Sequence, residues 1–209
     1  MKPKEAMQII GNLSKPSKMP GHAYSIPATR CKVGGKLRAV KGSVCSICYA
    51  LKGRYVFPNV KNALEKRFAS LASPRWIEAM ITAIDHYEKS GFFRWHDSGD
   101  IQNIEHLEAI AEIARKLPAV RFWLPTREYS LVAEFIAKNG RFPENLTVRL
   151  SAYMIEGPPP IELSKRLNVQ TSGVAREGFS CPVSSQGNAC KDCRACWDKN
   201  VENINYKKH

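Results

Sequence analysis

The sequence predicts an α/β protein: a partial parallel (β/α) barrel or curved open sheet with outer helices and a cysteine-rich C-terminal tail. Two observations predict it. Short apolar runs of strand length alternate with amphipathic helical stretches through the middle of the chain. That alternation is the pattern of right-handed βαβ units on a parallel sheet. The cysteines, in turn, stand at its two ends. Cys45-Ser46-Ile47-Cys48 precedes it, and Cys181, Cys190, Cys193 and Cys196 follow it. The four or five strands visible are too few for an eight-stranded barrel. The sheet is therefore expected to stay open, and an open doubly wound sheet is the alternative.

Each element has its own signal. A short helix is expected from Glu5 to Leu13, followed by a Lys/Pro/Ser linker to residue 20. His22, Tyr24 and Ile26 alternate weakly, as a first strand would. Gly34-Gly35-Lys36 reads as loop leading to the first cysteine pair. Val60, Leu64, Phe68 and Leu71 recur at helical spacing. Ser73-Pro74 reads as an N-cap with Pro at the first helical position, opening a helix that runs through Tyr87 and stops by Gly91. Phe92 to His96 is a strand, followed by the polar turn Asp97-Ser98-Gly99-Asp100. Ile104 to Ala114 is a helix ended by Pro118, and Val120 to Leu124 is a strand. Leu131 to Ile136 is a helix ended by Asn139-Gly140, and Leu146 to Leu150 is a strand. After the Gly157-Pro158-Pro159-Pro160 loop come a short helix, Ile161 to Leu167, and a last strand, Val169 to Val174. Three units result: a helix and linker at 1–20, the partial barrel at 21–178, and a tail at 179–209 packing on the barrel mouth.

Composition narrows the function. Hydrophobic residues make up 44% of the 209 residues, enough for a packed core. No apolar run approaches the roughly 18–20 residues of a membrane span, and the N-terminus lacks the apolar stretch of a signal peptide. A cytoplasmic protein without a membrane partner is expected, its thiols reduced. There, clustered cysteines act as ligands more often than as disulfides. An odd total of seven also suits a disulfide framework poorly. The net charge of +13 favours an anionic partner, nucleic acid or nucleotide. The basic residues are spread along the chain, without a local nucleic-acid motif, and the common nucleotide loops are absent.

In a parallel α/β fold, functional groups collect at the C-terminal ends of the strands. His96, Asp97 and Asp100 stand at one such end and are candidate catalytic groups; the alternative is a turn in which Asp97 and Ser98 cap the next helix. Arg127 and Glu128 stand at another, as a substrate contact or as a structural pair. Lys52 and Arg54 follow the first cysteine pair as anion contacts or solvated charges. Trp95 and Trp123 read as core, and Trp197 as a cover over a metal cluster. All seven cysteines, Cys31, Cys45, Cys48, Cys181, Cys190, Cys193 and Cys196, are candidate metal ligands. Cys190, Cys193 and Cys196 form CxxCxxC, which lets one short loop hold three corners of a cubane cluster. Zinc more often uses two separated CxxC pairs. Iron–sulfur, zinc, and free or redox thiols are the three readings.

These motifs resemble those of one family closely and of a second more distantly. Cys45-x-x-Cys48-Tyr49-Ala50-x-Lys52-Gly53-x-Tyr55, Arg94-Trp95-His96-Asp97-Ser98-Gly99-Asp100 and the cysteine-rich end resemble the bacteriophage proteins known as gene product eighty-eight, over roughly residues 30–197. That resemblance implies an iron–sulfur protein and supplies no reaction. More distantly, the chain resembles radical S-adenosylmethionine enzymes, which use a partial barrel and a CxxxCxxC loop. Cys45 and Cys48 match its last two cysteines, with Ile47 in the apolar position; Lys41 stands where the first would be, and the Gly-Gly-Glu stretch that holds the cofactor's amino group is missing.

Three functions are therefore expected in competition. One is a [4Fe-4S] protein with a single cluster ligated from both ends of the chain, serving redox, electron-transfer or structural ends. The second is a radical-enzyme-like protein with an open cluster on Cys31, Cys45 and Cys48, a closed one on the tail, and S-adenosylmethionine as a cofactor. The third is a basic zinc module that binds nucleic acid. Whether the protein is an enzyme is left open.

Overall fold

The computed structural model describes residues 1–178 and 180–208. Six strands form one parallel sheet in strictly consecutive order: β1 (Ala23–Tyr24), β2 (Phe92–Trp95), β3 (Arg121–Thr126), β4 (Leu146–Ser151), β5 (Gln170–Ala175) and β6 (Asn203–Lys207). Consecutive parallel order is that of a (β/α) barrel left open, since β1 and β6 do not pair. A doubly wound sheet would reverse its strand order partway; this one does not.

The helices are α1 (Pro3–Ile10), α2 (Lys32–Leu37), α3 (Pro58–Ser70), α4 (Trp76–Tyr87), α5 (Ile104–Lys116), α6 (Tyr129–Asn139) and α7 (Ile161–Leu167). Phe93, Trp95, Phe122, Leu124, Leu146, Val148 and Leu150 project from one sheet face into a core with Met80, Ile84, Leu107, Ile110, Val132 and Phe135 of the helices. Ala6 and Ile10 of α1 join that core. Gly11, at φ 72, ends α1 before the expected Leu13. Ser73 opens a turn whose carbonyl accepts from Trp76 N, so α4 begins at Trp76. Asn103 caps α5, its side chain accepting from His106 N at 2.9 Å. The Asp97–Ser98 turn therefore does not serve as that cap.

Two elements correct the sequence reading. Gly34-Gly35-Lys36, expected as loop, lies inside the helix α2. The tail adds β6, a sixth strand beyond the expected last one. Its sequence, Asn203-Ile204-Asn205-Tyr206-Lys207, is mostly polar and carries little strand signal.

The tail also covers the second sheet face. All six residues of β4 are buried, including Thr147 and Arg149, as a central strand covered on both sides must be. Thr147 Oγ1 donates to the Trp197 carbonyl at 2.9 Å, and Trp197 Nε1 donates to the Phe93 carbonyl at 2.8 Å. Trp197 packs edge-on against Trp123 at 5.3 Å and Phe92 at 5.5 Å. It anchors the tail to the sheet, and Trp123 faces it from the same side.

Candidate functional site

The connection from β1 to α3 makes a cap over the strand ends, built from short three-ten turns and α2. It brings Cys31, Cys45 and Cys48 together. A methyl group added at Gly34 would stand 3.1 Å from Cys31 Cβ and 3.4 Å from Cys45 Sγ. That crowding is a reason for glycine inside a helix, where it otherwise costs about 1 kcal/mol. Burial raises the pKa of the Cys31 thiol, and Asp100, Cys48 and Cys45 raise it further. Burial likewise raises Cys45; Arg127 opposes it, and Cys48 and Asp100 add to it.

Asp100 lies beneath these thiols, 6% exposed. It accepts from Thr126 Oγ1 at 2.6 Å, Arg127 N at 2.9 Å and Ile101 N at 2.8 Å. Burial still pushes it up to about 6, with Glu128 adding to the shift. Glu128 Oε1 accepts from Val33 N at 2.9 Å, two residues after Cys31, and so fixes the start of α2. Arg127 Nε donates to the Ala152 carbonyl at 3.2 Å. Arg127 and Glu128 thus serve different partners.

The second thiol group is Cys181, Cys190, Cys193 and Cys196. Burial raises Cys190, and Cys181 and Cys193 add to it. Cys196 is pushed up to about 11 by burial, against the Tyr206 hydroxyl, Arg149 and Arg94. The Tyr206 hydroxyl lies 3.3 Å from Cys196 Sγ. Arg149, with no solvent exposure, donates to the carbonyls of Ala195, Cys196, Asp198, Thr171 and Val201 at 2.8 to 3.2 Å.

Tyr49 and Arg94 stand between the two groups. Tyr49 follows Cys48, and its hydroxyl donates to the Asp97 carbonyl. Arg94 lies over the Trp123 ring at 4.3 Å. Burial works against the Arg94 charge, but Tyr49, Asp97, Tyr206 and Cys196 outweigh it and hold its pKa above the usual value. Asp97 Oδ2 accepts from Tyr55 at 2.9 Å, while its Oδ1 is buried without a partner.

His96 goes elsewhere. At φ 54 it turns onto the helix side, against Trp95 at 6.2 Å and His106 at 5.3 Å. Both its ring nitrogens are buried without partners, and burial holds its pKa well below the usual range. Lys52 is exposed on the cap. The structure therefore gathers Asp100 with the first thiols, places Asp97 between the groups, and leaves His96 behind the sheet. Arg94, Arg149 and Tyr206 were missed in the sequence. Arg94 and Arg149 had one signal, a charge inside an apolar strand.

Among the described residues, no three His, Cys, Asp or Glu side chains are arranged to hold a single metal ion. Two depressions lie at the opposite end of the sheet, sharing Arg141, Phe142 and Glu144. No helix among the described residues is long and apolar enough to cross a membrane.

Fold and site define an open, consecutively ordered parallel α/β protein with thiols gathered in two groups. The chain belongs to the family described as Gene product 88, which matches residues 3–175. The matched span contains Cys31, Cys45 and Cys48 and ends before Cys181. No curated protein and no solved structure matches the chain.

Proposed function

We propose that this protein carries two iron–sulfur clusters, one on Cys31, Cys45 and Cys48 and a second on Cys181, Cys190, Cys193 and Cys196. The observation that carries this reading is the grouping of the thiols: Cys45 and Cys48 lie near enough to Cys31 to act on its charge, as Cys48 does on Cys45, while Cys181 acts on both Cys190 and Cys196, and Cys193 on Cys190. The donor chemistry fits. Reactive thiols sit where their pKa is lowered, whereas Cys31, Cys45, Cys190 and Cys196 are raised by burial. Metal ligation deprotonates such thiols and repays their burial. Arg94 and Arg149 supply positive charge beside Cys196, suited to an anionic thiolate-bound cluster. One tetrahedral zinc would draw its sulfurs to within about 4 Å of one another, whereas a cubane gives each thiolate its own iron.

When bound, such clusters supply one-electron transfer, and an iron without a cysteine ligand can accept an external one. The three-thiol set fits that open arrangement, with Cys31 supplying the thiol that Lys41 cannot. S-adenosylmethionine is the first small molecule to try there; the missing Gly-Gly-Glu stretch weighs against it. Glu128 fixes the Cys31 segment, and Arg149 and Trp197 fix the tail set.

The test is iron per chain after anaerobic purification. We expect about eight irons with broad absorption near 400 nm, and about four in either Cys45→Ser/Cys48→Ser or Cys190→Ser/Cys193→Ser. Loss of all iron from either variant would mean one shared cluster. Colourless protein with stoichiometric zinc would refute the proposal.

A further inference from the structure

The charge of this molecule is lopsided in its acids, not its bases. Residues 6–64 contain ten Lys and Arg and no Asp or Glu. In the fold this stretch includes the whole cap around Cys31, Cys45 and Cys48. Lys32, Lys36, Lys41, Lys52, Arg54 and Lys61 are exposed on it. Among the described residues none of these six makes an ion pair; at the border, Arg30 pairs with Glu65 at 3.3 Å. Six exposed cations on an acid-free stretch, without ion pairs, leave their charge to be met by an anion from outside, and the fold gains nothing from leaving them so.

The same cap exposes apolar side chains. Phe57 is 54% exposed, Tyr49 43% and Val56 42%. The Tyr49 ring is held from beneath by its hydroxyl on the Asp97 carbonyl and tilts on Tyr55 at 5.8 Å. Phe57 sits at the start of α3. Aromatic faces set among unpaired cations are what single-stranded nucleic acid requires, because phosphates take the charges and any base can stack on a ring. An acidic protein would satisfy the charges but has no need of exposed rings.

We infer that the acid-free cap binds single-stranded nucleic acid, with Lys52, Arg54 and their neighbouring lysines on phosphates and the Tyr49 and Phe57 rings against bases. The chemistry is that of a polyanion with unstacked bases, DNA or RNA.

The test is fluorescence anisotropy of a labelled oligothymidylate of about 20 nucleotides, titrated with the full chain at several salt concentrations. Binding in the micromolar range or tighter at low salt is expected, with log affinity falling linearly against log salt. Lys52→Glu/Arg54→Glu should weaken it about tenfold or more. Phe57→Ala should weaken the single strand and leave a duplex of the same length unchanged. Lys89→Glu/Lys116→Glu removes the same charge at the other end of the sheet and should change affinity less than twofold. The inference is overturned by absence of binding, by equal loss in both charge-reversed pairs, or by polyglutamate competing as well as unlabelled oligonucleotide. Thermal melts establish that each variant is folded. Iron content does not enter the readout. An iron-free preparation that binds would uphold this surface while refuting the clusters, and a two-cluster preparation that fails to bind would do the reverse.

Discussion

Arg149 Nε donates to the backbone carbonyl of Cys196 at 3.1 Å, from a side chain with no solvent exposure. One residue of a central strand thereby holds the loop that carries the tail thiols. Its other donors go to Ala195, Asp198, Val201 and Thr171, so the guanidinium is saturated by carbonyl dipoles. A buried cation is costly unless so satisfied.

Arg149→Met should therefore release the tail. The variant removes the charge but leaves several carbonyls without a donor, each costing about 1–3 kcal/mol if it stays buried. We expect a stability loss of about 3–5 kcal/mol and faster proteolysis between residues 176 and 202. Arg149→Lys should recover little, since an ammonium cannot span the same acceptors. Wild-type melting and protease resistance in Arg149→Met would refute this role.

Tyr206 offers a test that leaves the fold alone. Its hydroxyl lies 3.3 Å from Cys196 Sγ, and its ring lies 6.3 Å from that of Trp123. Phenylalanine keeps the ring and removes the hydroxyl. Hydrogen bonds to ligand sulfurs raise a cluster's potential. A bond worth about 1 kcal/mol corresponds to roughly 40–50 mV for one electron. Tyr206→Phe should lower the midpoint of one cluster by that order, read by redox titration, and leave the other unmoved. A shift in both, or in neither, would contradict the assignment.

Acid should destabilise the protein through His106. Burial lowers its pKa to about 4 from a reference of 6.5. The unfolded chain then binds the extra proton between those values, so stability is full above pH 6.5 and falls as pH drops towards 4. The loss at pH 4 is on the order of 3 kcal/mol. His106→Phe keeps the packing against Trp76 and should flatten that part of the stability–pH curve, measured by denaturant unfolding. An unchanged slope would assign the acid limb to other groups.

The elements that could be read from sequence were those whose signal is local. β2, β3, β4 and β5 and their helices follow from apolar period and breakers, because each buries one patterned face. β6 could not be read, since its pairing with β5 is supplied by the sheet edge and not by its own polar residues. Trp197 anchors the tail on the Phe93 carbonyl, a contact made across 104 positions that no local pattern encodes. Asp100 was legible at a strand end; the turn of His96 to the other face depends on a single positive φ, which periodicity does not encode.

Gly34 and Gly35 make the sharpest comparison in the molecule. Both lie inside α2, where alanine should add about 1 kcal/mol of helix stability. A methyl group at Gly35 meets nothing within 4 Å, whereas at Gly34 it would press on Cys31 Cβ at 3.1 Å and Cys45 Sγ at 3.4 Å. Gly35→Ala should raise the melting temperature slightly and leave iron content unchanged. Gly34→Ala should push Cys31 and Cys45 apart, reducing iron at the first set while the tail cluster keeps its spectrum. If the three thiols are merely buried side chains, Gly34→Ala will still carry its full complement of iron. Equal iron in the two variants would therefore remove the first site from the proposal.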